Sequence, residues 1–217
     1  MDLLEALYTT RAMRRVKPDP IPEDVQARML DAAVRAPSGG NMQNWRFLFV
    51  DDRAVMAALG PIYRDSFAQL LATFYKEPLA RARETPDDPE SASLLRVMHS
   101  AQYLADHFEA YPLLLFAFTT DPSGGSVFPA VWSAMLAARA EGVGSALTSV
   151  MNVFHRDDVL DTLGVPREAG WVNACCVTFG YPTGRWGRAE RRPAHEVSYR
   201  NRWGSPLGLA IPEPLWP

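Results

Sequence analysis

Ala36-Pro37-Ser38-Gly39-Gly40-Asn41-Met42-Gln43-Asn44-Trp45-Arg46 closes a helical pattern, opens a polar glycine turn and runs into an apolar segment. Upstream, Pro22, Glu23 and Asp24 supply the proline and acids of a first helical turn. Val25, Met29, Ala33 and Ala36 then recur on one face, the spacing of an amphipathic helix that ends near Pro37. Downstream, Phe47-Leu48-Phe49-Val50 is short and β-rich, as a buried strand is. Between helix and strand lie a hydroxyl, side-chain amides and two glycines. Such a turn offers donors and acceptors to a flat ligand, or caps a helix in solvent.

Toward the amino terminus, Leu3, Leu4 and Leu7 mark a short amphipathic helix, and Thr9-Thr10-Arg11-Ala12-Met13-Arg14-Arg15-Val16-Lys17-Pro18 follows it. Four cations within seven residues suit a phosphate, whose oxygens match the arginine fork, or form a solvated face. Nucleic acid is disfavoured as a partner. The chain carries 22 Lys+Arg against 25 Asp+Glu, a net charge of -3, and no broader basic stripe accompanies the cluster.

Toward the carboxyl terminus, residues 54–75 read as a helix interrupted near Gly60-Pro61, and the proline-punctuated, charged residues 77–93 as a loop or exposed excursion. A helix over 94–108 and a strand from Leu113 to Phe118 come next, then a turn at Asp121-Pro122-Ser123-Gly124-Gly125. Residues 130–141 are apolar on nearly every face, the mark of a buried central helix. Gly142-Val143-Gly144-Ser145 then leads into residues 146–152. It lacks the third glycine and preceding strand of a dinucleotide fingerprint. The last strand spans residues 172–179, in which the adjacent Cys175 and Cys176 point to opposite faces as core filler. The four histidines, His99, His107, His155 and His195, lack metal-ligand spacing, so no metal site is expected. At 217 residues and 47% hydrophobic the chain suits a single domain, 1–217, ending in an extended tail from residue 200. Without an amino-terminal apolar segment or a stretch of bilayer length, a cytoplasmic protein with no membrane partner is expected.

Three segments in this order resemble the FMN-dependent nitroreductase family: the arginine run, the turn before Trp45, and Leu136-Ala137-Ala138-Arg139 leading to Gly142-Val143-Gly144-Ser145. Thr10 and Ala12 stand where the family commonly has arginine and serine, and Asn44 replaces the proline before the tryptophan. The resemblance implies an α+β fold with a mixed, mostly antiparallel sheet of about four or five strands flanked by helices, in an intertwined homodimer. It implies bound FMN, held by Arg11, Ala12, Met13, Arg14 and Arg15 and by Pro37, Ser38, Gly39, Asn41 and Gln43, the latter reaching the partner's flavin. Leu147, Thr148 and Ser149 would lie against the ring, and Arg188 with Arg191 or Arg192 before Pro193 would approach the phosphate. The implied reaction is ping-pong hydride transfer from NADH or NADPH to a flat acceptor, a nitroaromatic or quinone, with no catalytic side chain required. Other activities on the same scaffold stay open: dehalogenation, flavin fragmentation, deazaflavin-linked reduction, or non-catalytic flavin carriage. The resemblance also has residues 77–93 help cover the flavin and the tail, with Trp203 and Trp216, lie on the other subunit.

Overall fold

In a computed structural model, which describes residues 1–211 together with Pro214 and Leu215, the chain builds a four-stranded sheet between two helical layers. The strands are β1 (Trp45–Val50), β2 (Leu113–Thr119), β3 (Gly144–Thr148) and β4 (Val172–Gly180), in the order β1-β2-β4-β3. Every ladder among the described residues is antiparallel. The parallel component of the expected mixed sheet is reduced to one bridge, Ala12 beside Ser145.

Alternation along the strands decides the layering. Leu113, Leu115, Ala117, Cys175, Val177 and Phe179 face α2 (Glu23–Ala33) and α6 (Val127–Ala140). Leu114, Phe116, Phe118 and Cys176 face α3 (Arg53–Leu70), α5 (Pro89–Asp106), α7 (Val150–Phe154) and α8 (Arg156–Thr162). Cys175 and Cys176 are therefore buried on opposite faces; burial lifts the Cys175 thiol to about 12 and the Cys176 thiol well above its usual value. The short helix α1 (Leu3–Thr9) lies on α6 and buries Ala6 and Thr9. No helix among the described residues is long and apolar enough to cross a membrane.

Three readings of the sequence are corrected. The helix of residues 54–75 passes through Pro61 unbroken, and its irregularity is a π-helical turn at Leu71–Tyr75. Gly60 lies against the Glu109 side chain, where a Cβ would sit 1.8 Å from the carboxylate, and the packing of both flanks holds the proline in register. Residues 77–93 are not a loop: α4 (Lys76–Glu84) fills the first half and α5 begins at Pro89. Pro89 occupies a first turn, where a missing N–H breaks no helical bond, and Asp88 caps α5 by accepting from the Ser91 amide at 2.9 Å; Pro78 lies just past the π-helical turn. Finally, α6 is not buried all round, since Phe128 is 43% and Trp132 39% exposed and Leu136 half-buried. Trp203 is 92% exposed, while Trp216 lies outside the described residues.

His155, between α7 and α8, ties the second layer together. Its Nδ1 lies 2.6 Å from Asp158 and its Nε2 2.5 Å from Asp65 on α3. The hydrogen bonds that the ring donates to Asp158 and then Asp65 raise the imidazole pKa, and His155 with Gln69 lowers that of Asp65. A raised histidine stabilises fully below its unfolded value of about 6.5 and is lost as pH rises through the folded one. The lowered Asp65 stabilises above its unfolded value of about 3.9 and is lost as pH falls through its folded one. The His155→Gln variant is thus expected to lose most melting temperature near about pH 5.5 and progressively less toward about pH 8.5. A loss independent of pH over that span, in parallel thermal melts, would refute the coupling.

Candidate functional site

The arginine run is placed by two glycines. Gly144 and Gly180 are register partners at the ends of β3 and β4. A Cβ on Gly144 would lie 2.8 Å from Met13, and one on Gly180 2.7 Å from Val16. Over this bare patch residues 12–17 lie as an extended segment. The Met13 amide donates to the Ser145 carbonyl (2.9 Å), the Lys17 amide to Tyr181 (2.8 Å), and the Thr183 amide to the Arg15 carbonyl (3.0 Å). From below, the buried Tyr111 hydroxyl donates to the Arg14 carbonyl, and burial pushes its pKa above the usual range. A backbone tied on three sides buries the Met13 side chain against the sheet and leaves the Arg11, Arg14 and Arg15 side chains at one edge.

Those side chains line a cavity of about 300 Å³, closed by Ser100 of α5 and by Gly184 and Arg185. Arg11 Nη2 donates to the Arg185 carbonyl at 3.0 Å, and Arg14 Nη1 to Ser100 Oγ at 3.3 Å. The Arg15 guanidinium sits 4.5 Å over the Tyr103 ring. Arg14 Nε is buried with no hydrogen-bond partner, alone in this among the side-chain polar atoms of the described residues. A buried donor without an acceptor costs on the order of 1–3 kcal/mol, which an anion in the cavity would remove.

From Ser145 the strand β3 carries the chain out of this cavity. At about 3.4 Å per residue, Leu147, Thr148 and Ser149 lie roughly 7–14 Å along it. The Leu147 side chain is exposed, and Thr148 Oγ1 accepts from the Tyr63 hydroxyl at 3.3 Å. Tyr63 is fixed in turn by stacking on Phe108, ring centroids 4.3 Å apart, and burial lifts its pKa to about 12. Both the arginine cavity and these anchors belong to the α3/α5 layer.

Pro37, Ser38, Gly39, Asn41 and Gln43 lie elsewhere. Their loop adjoins the α2/α6 layer and is anchored where α6 begins, the Gly39 amide donating to Ser126 Oγ at 3.3 Å. Ser38 holds it shut, its Oγ accepting from the Gln43 amide at 2.8 Å. Gly40, Asn41 and Gln43 adopt φ of 58°, 53° and 51°. Left-handed backbone is unremarkable for glycine and asparagine but strained for glutamine, and strain of this kind gathers at ligand sites. None of the five lines the arginine cavity.

The late basic run is also divided. Arg188, Arg191 and Arg192 line a separate cavity of about 630 Å³ with Leu7 and Tyr8 of α1, and Arg191 Nη1 donates to its neighbour Glu190 at 2.8 Å. The two cavities meet the chain at consecutive residues, Thr10 and Arg11. Arg185, the first arginine of that run, is the one that joins the amino-terminal cluster. The sequence carried no signal for it: Gly184-Arg185 comes close because Pro182 bridges Val16 in the folded chain. Ser100 carried none, being one polar residue on a long helix.

Comparison with known proteins identifies the family and the fold. The model of the nitroreductase family matches residues 7–181. A 5,6-dimethylbenzimidazole synthase of Rhodospirillum rubrum is 32% identical over 197 residues, covering 83% of this chain and 82% of its own. A putative NADH dehydrogenase/NAD(P)H nitroreductase of Archaeoglobus fulgidus is 25% identical over 93% of this chain and 99% of its own. An FMN-dependent nitroreductase of Clostridium difficile R20291 superimposes with a TM-score of 0.66 at 17% identity, covering 93% of this chain and all of that one. With three motifs in order, a glycine-seated arginine segment and a family match over most of its length, the chain belongs to the nitroreductase family.

Proposed function

We propose that the protein binds FMN and, as a homodimer, transfers a hydride from NADH or NADPH to a flat acceptor such as a nitroaromatic or a quinone. One observation carries the cofactor reading: the buried, unpartnered Nε of Arg14, a residue that lines a cavity together with Arg11, Arg15 and Arg185. That donor set fits the dianionic phosphate at the end of a mononucleotide. When bound, the flavin supplies the two-electron chemistry, and the protein's task is to hold it and shape the space above it. Arg11 and Arg14 would grip the phosphate, while the backbone of residues 147–149 would support the ring. The names of the Archaeoglobus and Clostridium relatives favour NAD(P)H and FMN here as well.

Two features support the dimer. Leu3, Leu4 and Leu7 are exposed on α1, and Phe128 and Trp132 on the adjoining α6, an apolar face that a lone chain leaves in water. The strained loop of residues 37–43 starts beside that face, so a second copy docked there would meet it. A separate observation favours flavin fragmentation as the second reading, since the Rhodospirillum relative is named for forming 5,6-dimethylbenzimidazole.

The purified protein is expected to release FMN on denaturation. Anaerobic NADH or NADPH should bleach its absorbance, and a quinone or nitroaromatic should restore it. Release of FAD or of no flavin would overturn the cofactor reading, and accumulation of 5,6-dimethylbenzimidazole from reduced FMN in air, by mass spectrometry, would favour the second activity. Among variants, Arg11→Ala and Arg14→Ala should weaken FMN binding about ten- to hundred-fold, as loss of a charged hydrogen bond worth about 1.5–3 kcal/mol requires. Ser38→Ala and Asn41→Ala should cost nearer about 1 kcal/mol each. Unchanged dissociation constants for both arginine variants would show the cluster to be a solvated face. The Trp132→Arg variant should sediment as a monomer and retain less flavin; a wild-type monomer fully loaded with flavin would rule out the shared site.

A further inference from the structure

Arg139, in the last turn of α6, is 5% exposed, the most deeply buried cation among the described residues. A guanidinium in that position is expensive, and burial lowers its pKa. Among the described residues its one carboxylate partner is Glu5, at 3.4 Å and itself part-exposed. The remaining contacts are geometric. Nε and Nη2 both donate to Thr9 Oγ1, at 3.1 and 3.0 Å, and the guanidinium plane lies 4.0 Å over the Trp186 ring.

Thr9 ends α1 two residues before Arg11, and Trp186 directly follows Arg185. The two chain segments that close the arginine cavity, joined by the bond from Arg11 to the Arg185 carbonyl, are thus each gripped just outside the cavity by one side chain. Through the α6 helix that side chain is fixed to the core. We propose that Arg139 is a positioning residue for the anion cavity, setting the gap between residues 11–15 and 184–185 so that their donors converge on a phosphate. This rests on the FMN reading above. A lysine cannot replace it, since an ammonium offers neither the fork that spans Thr9 Oγ1 nor the plane that stacks on the indole.

The test compares FMN with riboflavin, which shares the ring and lacks the phosphate. Each is titrated into the full chain stripped of copurifying flavin, with flavin fluorescence and a thermal melt recorded for every variant. Arg139→Met removes the buried charge at similar volume and should keep or raise the melting temperature. Arg139→Met, Arg139→Lys and Trp186→Leu should each weaken FMN about tenfold and leave riboflavin within about twofold. The Arg139→Met/Trp186→Leu double variant should be no worse than the singles, because both break one linkage. Equal losses for the two ligands, or no loss in any variant, would overturn the positioning role while the parent's preference for FMN stood. A parent that binds FMN no better than riboflavin would overturn the phosphate reading itself, and this proposal with it.

Discussion

Residues 12–17 can lie against the ends of β3 and β4 only because Gly144 and Gly180, paired across the two strands, present no side chains there. Any Cβ at either place would push Met13 or Val16 outward. The amide bonds to Ser145 and Tyr181 would then stretch, and the Arg14 carbonyl would leave the Tyr111 hydroxyl. Most of what surrounds the arginine cavity follows from that close approach. It brings the amino-terminal arginines beside the chain leaving β4, and so beside Arg185, and it turns them toward α5, where Ser100 and Tyr103 meet Arg14 and Arg15. Two absent side chains thus do more to place the cluster than the cluster's own contacts.

The parts legible in the sequence were those whose signal is local. The apolar run of β2, the Val25-Met29-Ala33 face of α2 and the opposite faces of the two adjacent cysteines each follow from a pattern of a few residues. The misread parts depend on position within an element or on distant packing. Pro78 and Pro89 read as breakers because composition does not say whether a proline falls in a first turn or an interior. Pro61 stays within the helix, and its neighbour Gly60 is packed against Glu109, nearly fifty residues away in sequence. The short helices α7 and α8 span too few turns to show a repeat.

The candidate site follows the same division. The arginine run and β3 could be read together only through the family resemblance, and the structure joins them by one bridge, Ala12 to Ser145. The late arginines could not be ranked, since a run of four carries no mark of which member turns back toward Arg11. The polar loop before β1, read as a ligand-holding corner, opens beside the α2/α6 layer, across the sheet from the arginine cavity. Motifs that follow one another in sequence order are therefore spatially split within one chain.

The paired cysteines have a consequence for how the molecule can be observed. With both thiols buried and held protonated, the thiolate that attacks alkylating agents is almost absent near neutral pH. Cys175 and Cys176 lie in the strand that pairs with β2 on one side and β3 on the other, so neither reaches solvent unless the sheet itself opens. Alkylation of this chain is therefore a clock for global opening. It runs without interference from other thiols, because the sequence contains no further cysteine.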